Sequence, residues 1–296
     1  MPPLTNLAVV AFGVSSALSW GAADFSGGLA SRRTAAIGVV LGGQAIGLVI
    51  GLALAFASRE PLPASVDYAW AAAASLSGTL ALVTFYRALA IGRMSVVATV
   101  GAVVSASFPL VVGALVEGLP SLVQAAGMVI GIVAIGLVTL AADDAGRDRT
   151  AAKARHAGAT ARTVIGLSLL AGLGFGGYYV LIDRVAEGSV FWPIVTGRLV
   201  GLGALVAFLT VRGGPWLPAV GSRRLVTMAG VLDMGGTAFF ILAAQSGRVD
   251  VAAVLSSLYP VGTIVLAALL LRERVRPMQA VGVVGAIVAI ALIAAG

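Results

Sequence analysis

The sequence predicts an all-α protein that crosses a membrane ten times, and three observations carry that expectation. First, 59% of its 296 residues are hydrophobic and only 10% are charged, against roughly 25% charged in an ordinary soluble domain. Second, with a mean hydropathy of +1.05, the apolar residues fall into ten long runs, with charges, Pro and Gly gathered between them. Third, one register relates the first half of the chain to the second.

Crossing about 30 Å of hydrocarbon takes roughly 20 apolar residues. The runs lie near 4–30, 34–57, 67–90, 95–116, 121–141, 162–186, 189–211, 222–245, 250–271 and 277–295. The N-terminal Met1-Pro2-Pro3 lacks a basic n-region, and the apolar run behind it is longer than an h-region, so it is expected to stay as the first span. The one long polar segment, 142–161, has no apolar period and reads as a linker; it holds the single lysine, Lys153, and the single histidine, His156, which reads as a solvated loop residue.

The two halves align at an offset of 155 residues. Gln124-Ala125 and Gly127 fall on Gln279-Ala280 and Gly282, Ile132-Val133-Ala134-Ile135 on Ile287-Val288-Ala289-Ile290, Gly92-Arg93 on Gly247-Arg248, and Trp20-Gly21 on Phe175-Gly176. The expected organisation is therefore a five-helix repeat over 1–141, the linker, and a second repeat over 162–296. Five is an odd number, so the second repeat enters the membrane from the opposite side. This is an inverted-topology pair, with a cavity expected between the halves near the bilayer midplane.

Charge placement gives the orientation. Of the 19 Lys and Arg, Arg198 lies inside a span, Arg59, Arg184 and Arg248 border the even-numbered connections, and the remaining fifteen border connections 1–2, 3–4, 5–6, 7–8 and 9–10. The positive-inside rule then puts the linker in the cytoplasm and both termini outside. No basic stripe with interleaved aromatics exists, so the net charge of +7 reads as topology, and no nucleic-acid partner is expected. The absence of cysteine removes disulfides, thiolate metal sites and thiol catalysis. No P-loop occurs, so neither ATP nor another cofactor is expected. No nucleophile–base pair or metal cluster points to an enzyme.

Intramembrane charges mark candidate functional residues. Asp24 stands eight residues before Arg32 and Asp233 nine after Arg224, which places both about 12–14 Å from the basic boundary. These two acids are the coupling candidates, since a carboxyl held away from water can exchange a proton during transport. Arg198, fourteen residues before Arg212, sits about 21 Å from that boundary, so a tight ion pair with either acid would need tilt or bending; each of the three charges reads either as a structural ion pair or hydrogen bond or as a coupling or substrate group. Proline supplies a second signal. Ser105-Ala106-Ser107-Phe108-Pro109 and Ser256-Ser257-Leu258-Tyr259-Pro260 occupy partner spans. Pro109 and Pro260 each remove a backbone bond and free the carbonyls of Ser105 and Ser256, either as kinks healed by serine hydroxyls or as part of a cavity wall. Trp20, Tyr86, Phe108, Tyr178, Tyr179 and Tyr259 are the aromatic candidates for that wall. Gly43, Gly47 and Gly51 form a small-residue ladder, and the glycines of 172–177 fall inside an apolar span; both read as helix packing.

Trp20-Gly21 with Phe25, the Arg198 position, Tyr259-Pro260, and Glu273 followed by Gln279 and Gly282 resemble the drug/metabolite transporter superfamily. The EamA type is the closest in pattern, with bacterial amino acid exporters, aromatic ones among them, as the nearest comparison. The resemblance implies a basket of ten helices around a cavity lined by spans 1, 3, 4, 6, 8 and 9, in a bacterial inner membrane. It also implies a small-molecule substrate, an amino acid or related metabolite, moved by a monomer. A cationic drug as substrate, and a membrane-embedded binding or scaffold protein without transport, are the alternatives.

Overall fold

A computed structural model describes residues 3–91, 94–116, 118–141, 161–185, 188–213, 216–261 and 277–295. Those residues contain ten α-helices and no strand. They are α1 (Pro3–Ser31), α2 (Ala36–Ser58), α3 (Ser65–Ile91), α4 (Met94–Val116), α5 (Leu122–Ala141), α6 (Ala161–Ile182), α7 (Phe191–Arg212), α8 (Arg223–Gln245), α9 (Val249–Ser256) and α10 (Pro277–Ala295). In hydrocarbon every backbone N–H and C=O must be satisfied within its own segment, which leaves the helix as the solution for these runs. Six helices are long and apolar enough to span a membrane, and the other four contain apolar stretches of 10–17 described residues. The chain is a multi-pass membrane protein. The expected linker, with Lys153 and His156, lies outside the described residues except for its last position, as do Arg93, Glu117 and Glu273.

Local chemistry sets the breaks between helices. Gly118, at φ +84°, turns the chain between α4 and α5, a conformation that side chains with a Cβ rarely adopt. Ser121 Oγ then caps α5 by accepting from Gln124 N at 3.1 Å. Asp67 Oδ2 accepts from Ala64 N at 3.1 Å and fixes the start of α3. The ninth span departs from the expected 250–271. α9 closes at Ser256, a turn occupies 257–258, and the residues beyond 261 are outside the described set. Pro260 follows that turn, whereas Pro109 sits within an α4 that stays helical through it.

Helix packing orders eight of the elements into a ring, α1, α8, α2, α7, α3, α6, α4, α9 and back to α1, with α5 and α10 packed on each other behind α4 and α1. Each neighbour in the ring comes from the other half of the chain. Exchanging the first five helices for the second five maps α1·α8 onto α6·α3, α2·α8 onto α7·α3 and α4·α6 onto α9·α1. The glycines of 172–177 sit at these contacts. A Cβ on Gly174 would stand 3.0 Å from the Ser77 carbonyl of α3, and one on Gly172 would stand 2.9 Å from the Gly101 carbonyl of α4.

Hydrogen bonds between connections respect an alternating path. Ala219 N donates to Thr34 Oγ1 at 3.2 Å, joining connections 7–8 and 1–2. On the other side, Val190 N and Phe191 N donate to Glu60 Oε2 at 3.1 and 2.8 Å, joining 6–7 to 2–3. There too, Arg248 Nη2 donates to the Gly118 carbonyl at 2.9 Å, joining 8–9 to 4–5.

Candidate functional site

A cavity of about 790 Å³, its mouth included, lies inside the ring. α1 contributes Trp20 and Asp24, α2 Gln44, and α3 Ala71, Ser75, Gly78, Thr79 and Leu82. From α6 come Phe175, Tyr178, Tyr179 and Ile182; α7 adds Pro193, Ile194, Gly197 and Arg198, and α8 adds Asp233 and Thr237. Tyr259, just past the turn that ends α9, completes it. The resemblance implied spans 1, 3, 4, 6, 8 and 9; here α2 and α7 also face the cavity, and none of the described α4 side chains does.

The polar centre is built around Arg198. Its Nη2 lies 2.7 Å from Asp233 Oδ2 and donates to Thr237 Oγ1 at 3.3 Å, while Nη1 donates to Gln44 Oε1 at 2.8 Å. Gln44 Nε2 passes the network on to Thr79 Oγ1 at 3.1 Å, and Thr237 Oγ1 donates to the Asp233 carbonyl at 2.8 Å. Gly47 makes room for the guanidinium, since a Cβ there would stand 3.0 Å from Arg198 Nε. One member of the glycine ladder therefore seats a charge. The other two follow the packing expectation: Gly43 meets the backbone of Gly230, and Gly51 faces Val195 and Met234. Of the two readings open for these charges, Arg198 and Asp233 form the ion pair. The roughly 7–9 Å offset obtained by counting residues is bridged by the length of the arginine side chain itself.

The aromatic candidates divide. Trp20 stacks on Tyr179 and on Phe240, both at 5.8 Å, and Tyr179 meets Phe240 at 4.5 Å. Tyr178 and Tyr259 also face the cavity. Tyr86, Ser105, Phe108 and Ser256 lie outside the lining. Tyr86 is buried with its hydroxyl against Gly27. Phe108 packs on Gly176 of α6 and is 37% exposed on the outer surface. Ser105 and Ser256 are fully buried, with Ser105 Oγ donating to its own helix at Ala102 O, 3.1 Å away, and lying 3.3 Å from Ser257 Oγ. Ser105 therefore sits behind the lining, beside Ser257 and the Tyr179 side chain. Asp24 joins no other described residue by a hydrogen bond or an ion pair.

The lining lies nearer one end of the helices. Ile182 is the last residue of α6, Pro193 and Ile194 occupy the first turn of α7, and Ala71 is six residues into α3, all beside connections 2–3 and 6–7. Towards the other side the last α3 lining residue is Leu82. The nine residues from there to Ile91, about 14 Å of helix, carry the buried Phe85, Tyr86 and Leu89 that close the floor.

Gln44, Thr79 and Thr237 are polar-centre residues that the sequence marks only weakly. Their signal was polarity inside apolar spans, and Gln44 stood within a ladder read only as packing.

Among the described residues no group of His, Cys, Asp or Glu could hold a metal ion. No curated protein matches the sequence. Solved structures share the fold: one crystal structure superposes with a TM-score of 0.68 at 18% identity, covering 96% of this chain and 95% of that one. Residues 162–295 match the EamA-like transporter family.

Proposed function

We propose that the protein is a secondary transporter that exports a small amphipathic metabolite, an amino acid with aromatic ones foremost, by alternating access. The observation that carries this reading is the cavity inside the helix ring, with aromatic walls and an arginine–aspartate centre. A phosphorylated sugar would call for several free cations, and the guanidinium of Arg198 is already engaged.

The inverted repeat is supported by the shared 155-residue register and by the exchange of packed helix pairs between halves. Fifteen basic residues beside the odd-numbered connections support a cytoplasmic linker and outward termini in a bacterial inner membrane. In that orientation the cavity lining lies nearer the outer face.

Purified protein in liposomes, assayed for counterflow of labelled amino acids and cationic drugs, provides the test. Saturable counterflow of one of them supports transport. Binding without flux favours the scaffold alternative, and neither binding nor flux overturns the reading.

A further inference from the structure

Away from the cavity, five arginines stand where two connections meet. Arg32 and Arg33 border connection 1–2, Arg212, Arg223 and Arg224 border connection 7–8, and all five are exposed. The connections are joined: Ala219 N donates to Thr34 Oγ1 at 3.2 Å, and the Pro218 ring lies over α2, 3.8 Å from where a Cβ on Gly42 would stand. The chain has no acidic residue between Asp24 and Glu60, nor between Glu187 and Asp233, so neither connection brings a carboxylate of its own. Arg33, Arg212, Arg223 and Arg224 form no ion pair among the described residues.

This face is not polar throughout. Between Arg212 and Arg223 stand Trp216, Leu217 and Val220, which are 40%, 71% and 75% exposed. A soluble anion has no use for these side chains. Where span ends meet lipid headgroups, a tryptophan and aliphatic groups can reach the acyl region while arginines stay at the phosphates. Arginine clusters beside span ends attract anionic headgroups. Two pairs on two joined connections, Arg32-Arg33 and Arg223-Arg224, match two phosphates better than one.

We propose that this face seats one phospholipid with two phosphates in its headgroup, a diphosphatidylglycerol. One phosphate lies at Arg32 and Arg33, the other at Arg223 and Arg224, and the acyl chains lie against Trp216, Leu217 and Val220. Connection 1–2 belongs to the first half of the chain and 7–8 to the second, so the lipid ties the halves together at the helix ends away from the cavity lining. The assignment needs the chain to sit in a bilayer and is independent of what the cavity carries.

Purified full-length protein in neutral detergent, titrated with lipid and followed by native mass spectrometry, provides the test. Diphosphatidylglycerol is expected to bind at least tenfold more tightly than phosphatidylcholine and several-fold more tightly than phosphatidylglycerol, which has a single phosphate. Millimolar inorganic phosphate should not displace it. An arginine near an anionic headgroup is worth roughly fivefold in affinity, so Arg223→Gln with Arg224→Gln should weaken diphosphatidylglycerol about 25-fold. Arg223→Lys with Arg224→Lys should keep most of the affinity, and Arg59→Gln with Arg184→Gln, on the opposite side, should change nothing. Diphosphatidylglycerol with brominated acyl chains should quench part of the tryptophan fluorescence, and Trp216→Phe should remove that part.

Equal affinity for diphosphatidylglycerol and either comparison lipid overturns the proposal, as does displacement by inorganic phosphate, which would mark a site for a free ion. Equal losses from the two pairs of arginine-to-glutamine changes would mark diffuse attraction by net charge and overturn it too. Quenching that survives Trp216→Phe in full puts the acyl chains elsewhere, with the same force. If the arginine variants do not fold, the lipid ranking and phosphate competition of the wild type decide the matter. None of these outcomes alters the counterflow result, so the transport reading stands or falls separately.

Discussion

Removing the charge of Asp233 alone should cost more than removing Asp233 and Arg198 together. The pair meets at 2.7 Å with side chains 8% and 22% exposed. Breaking a buried ion pair by deleting one partner costs about 3–5 kcal/mol, because the other charge stays buried. Asp233 borders a cavity that water can enter, which puts Asp233→Asn at the lower end, about 3 kcal/mol. Arg198→Met strands the more exposed carboxylate and costs about 2 kcal/mol by the same reasoning. The double variant leaves no charge; Gln44 and Thr237 lose a donor but keep Thr79 and the Asp233 carbonyl as partners. It should cost about 1–2 kcal/mol, well below the sum of the single changes. Reversible unfolding in mixed micelles, titrated with sodium dodecyl sulfate and followed by tryptophan fluorescence, measures all three free energies. Strict additivity would refute the reasoning, since it would mean that the two groups do not sense each other.

Glu60→Ala removes the acceptor for Ser189 Oγ, Val190 N and Phe191 N and should destabilise by about 1–2 kcal/mol. Faster hydrogen exchange at amides 190 and 191 is the readout. Gly27→Ala places a methyl group inside the space of the Tyr86 ring and should cost about 1–3 kcal/mol by overpacking; Tyr86→Leu in the same background should recover part of it in the unfolding assay. Pro109→Ala should be neutral or stabilising, because α4 is already helical there. Pro260→Ala should let α9 continue past 257–258 and slow flux at unchanged expression, since proline disfavours an isolated helix by about 3 kcal/mol relative to alanine; equal flux in both variants and wild type would make the break a packing feature.

The ten helices were legible because hydrocarbon imposes one rule on every segment, that the backbone must satisfy itself, and apolar length reports it. The site was legible in part. Asp24, Trp20, Tyr178, Tyr179 and Tyr259 sit at the cavity because charge and aromatic polarity inside a span are costly enough to show in a single sequence. Tyr86, Ser105, Phe108 and Ser256 point elsewhere because a residue's face depends on helix rotation, which proline spacing does not fix. The Arg198–Asp233 pair was obscured by reckoning height from backbone rise alone, and Gln44 by a glycine ladder whose middle member receives a neighbour's guanidinium.

The interleaved ring has a consequence for how the molecule is assembled. As the chain emerges, α1 to α4 enter the membrane without the ring neighbours they end with, since each of those neighbours is supplied later by α6 to α9. The early helices make few contacts with one another, like alternate staves of a cask, and the late ones wedge between them. Two separately expressed pieces, cut within 142–160, should therefore fail singly and reconstitute when made in the same cell.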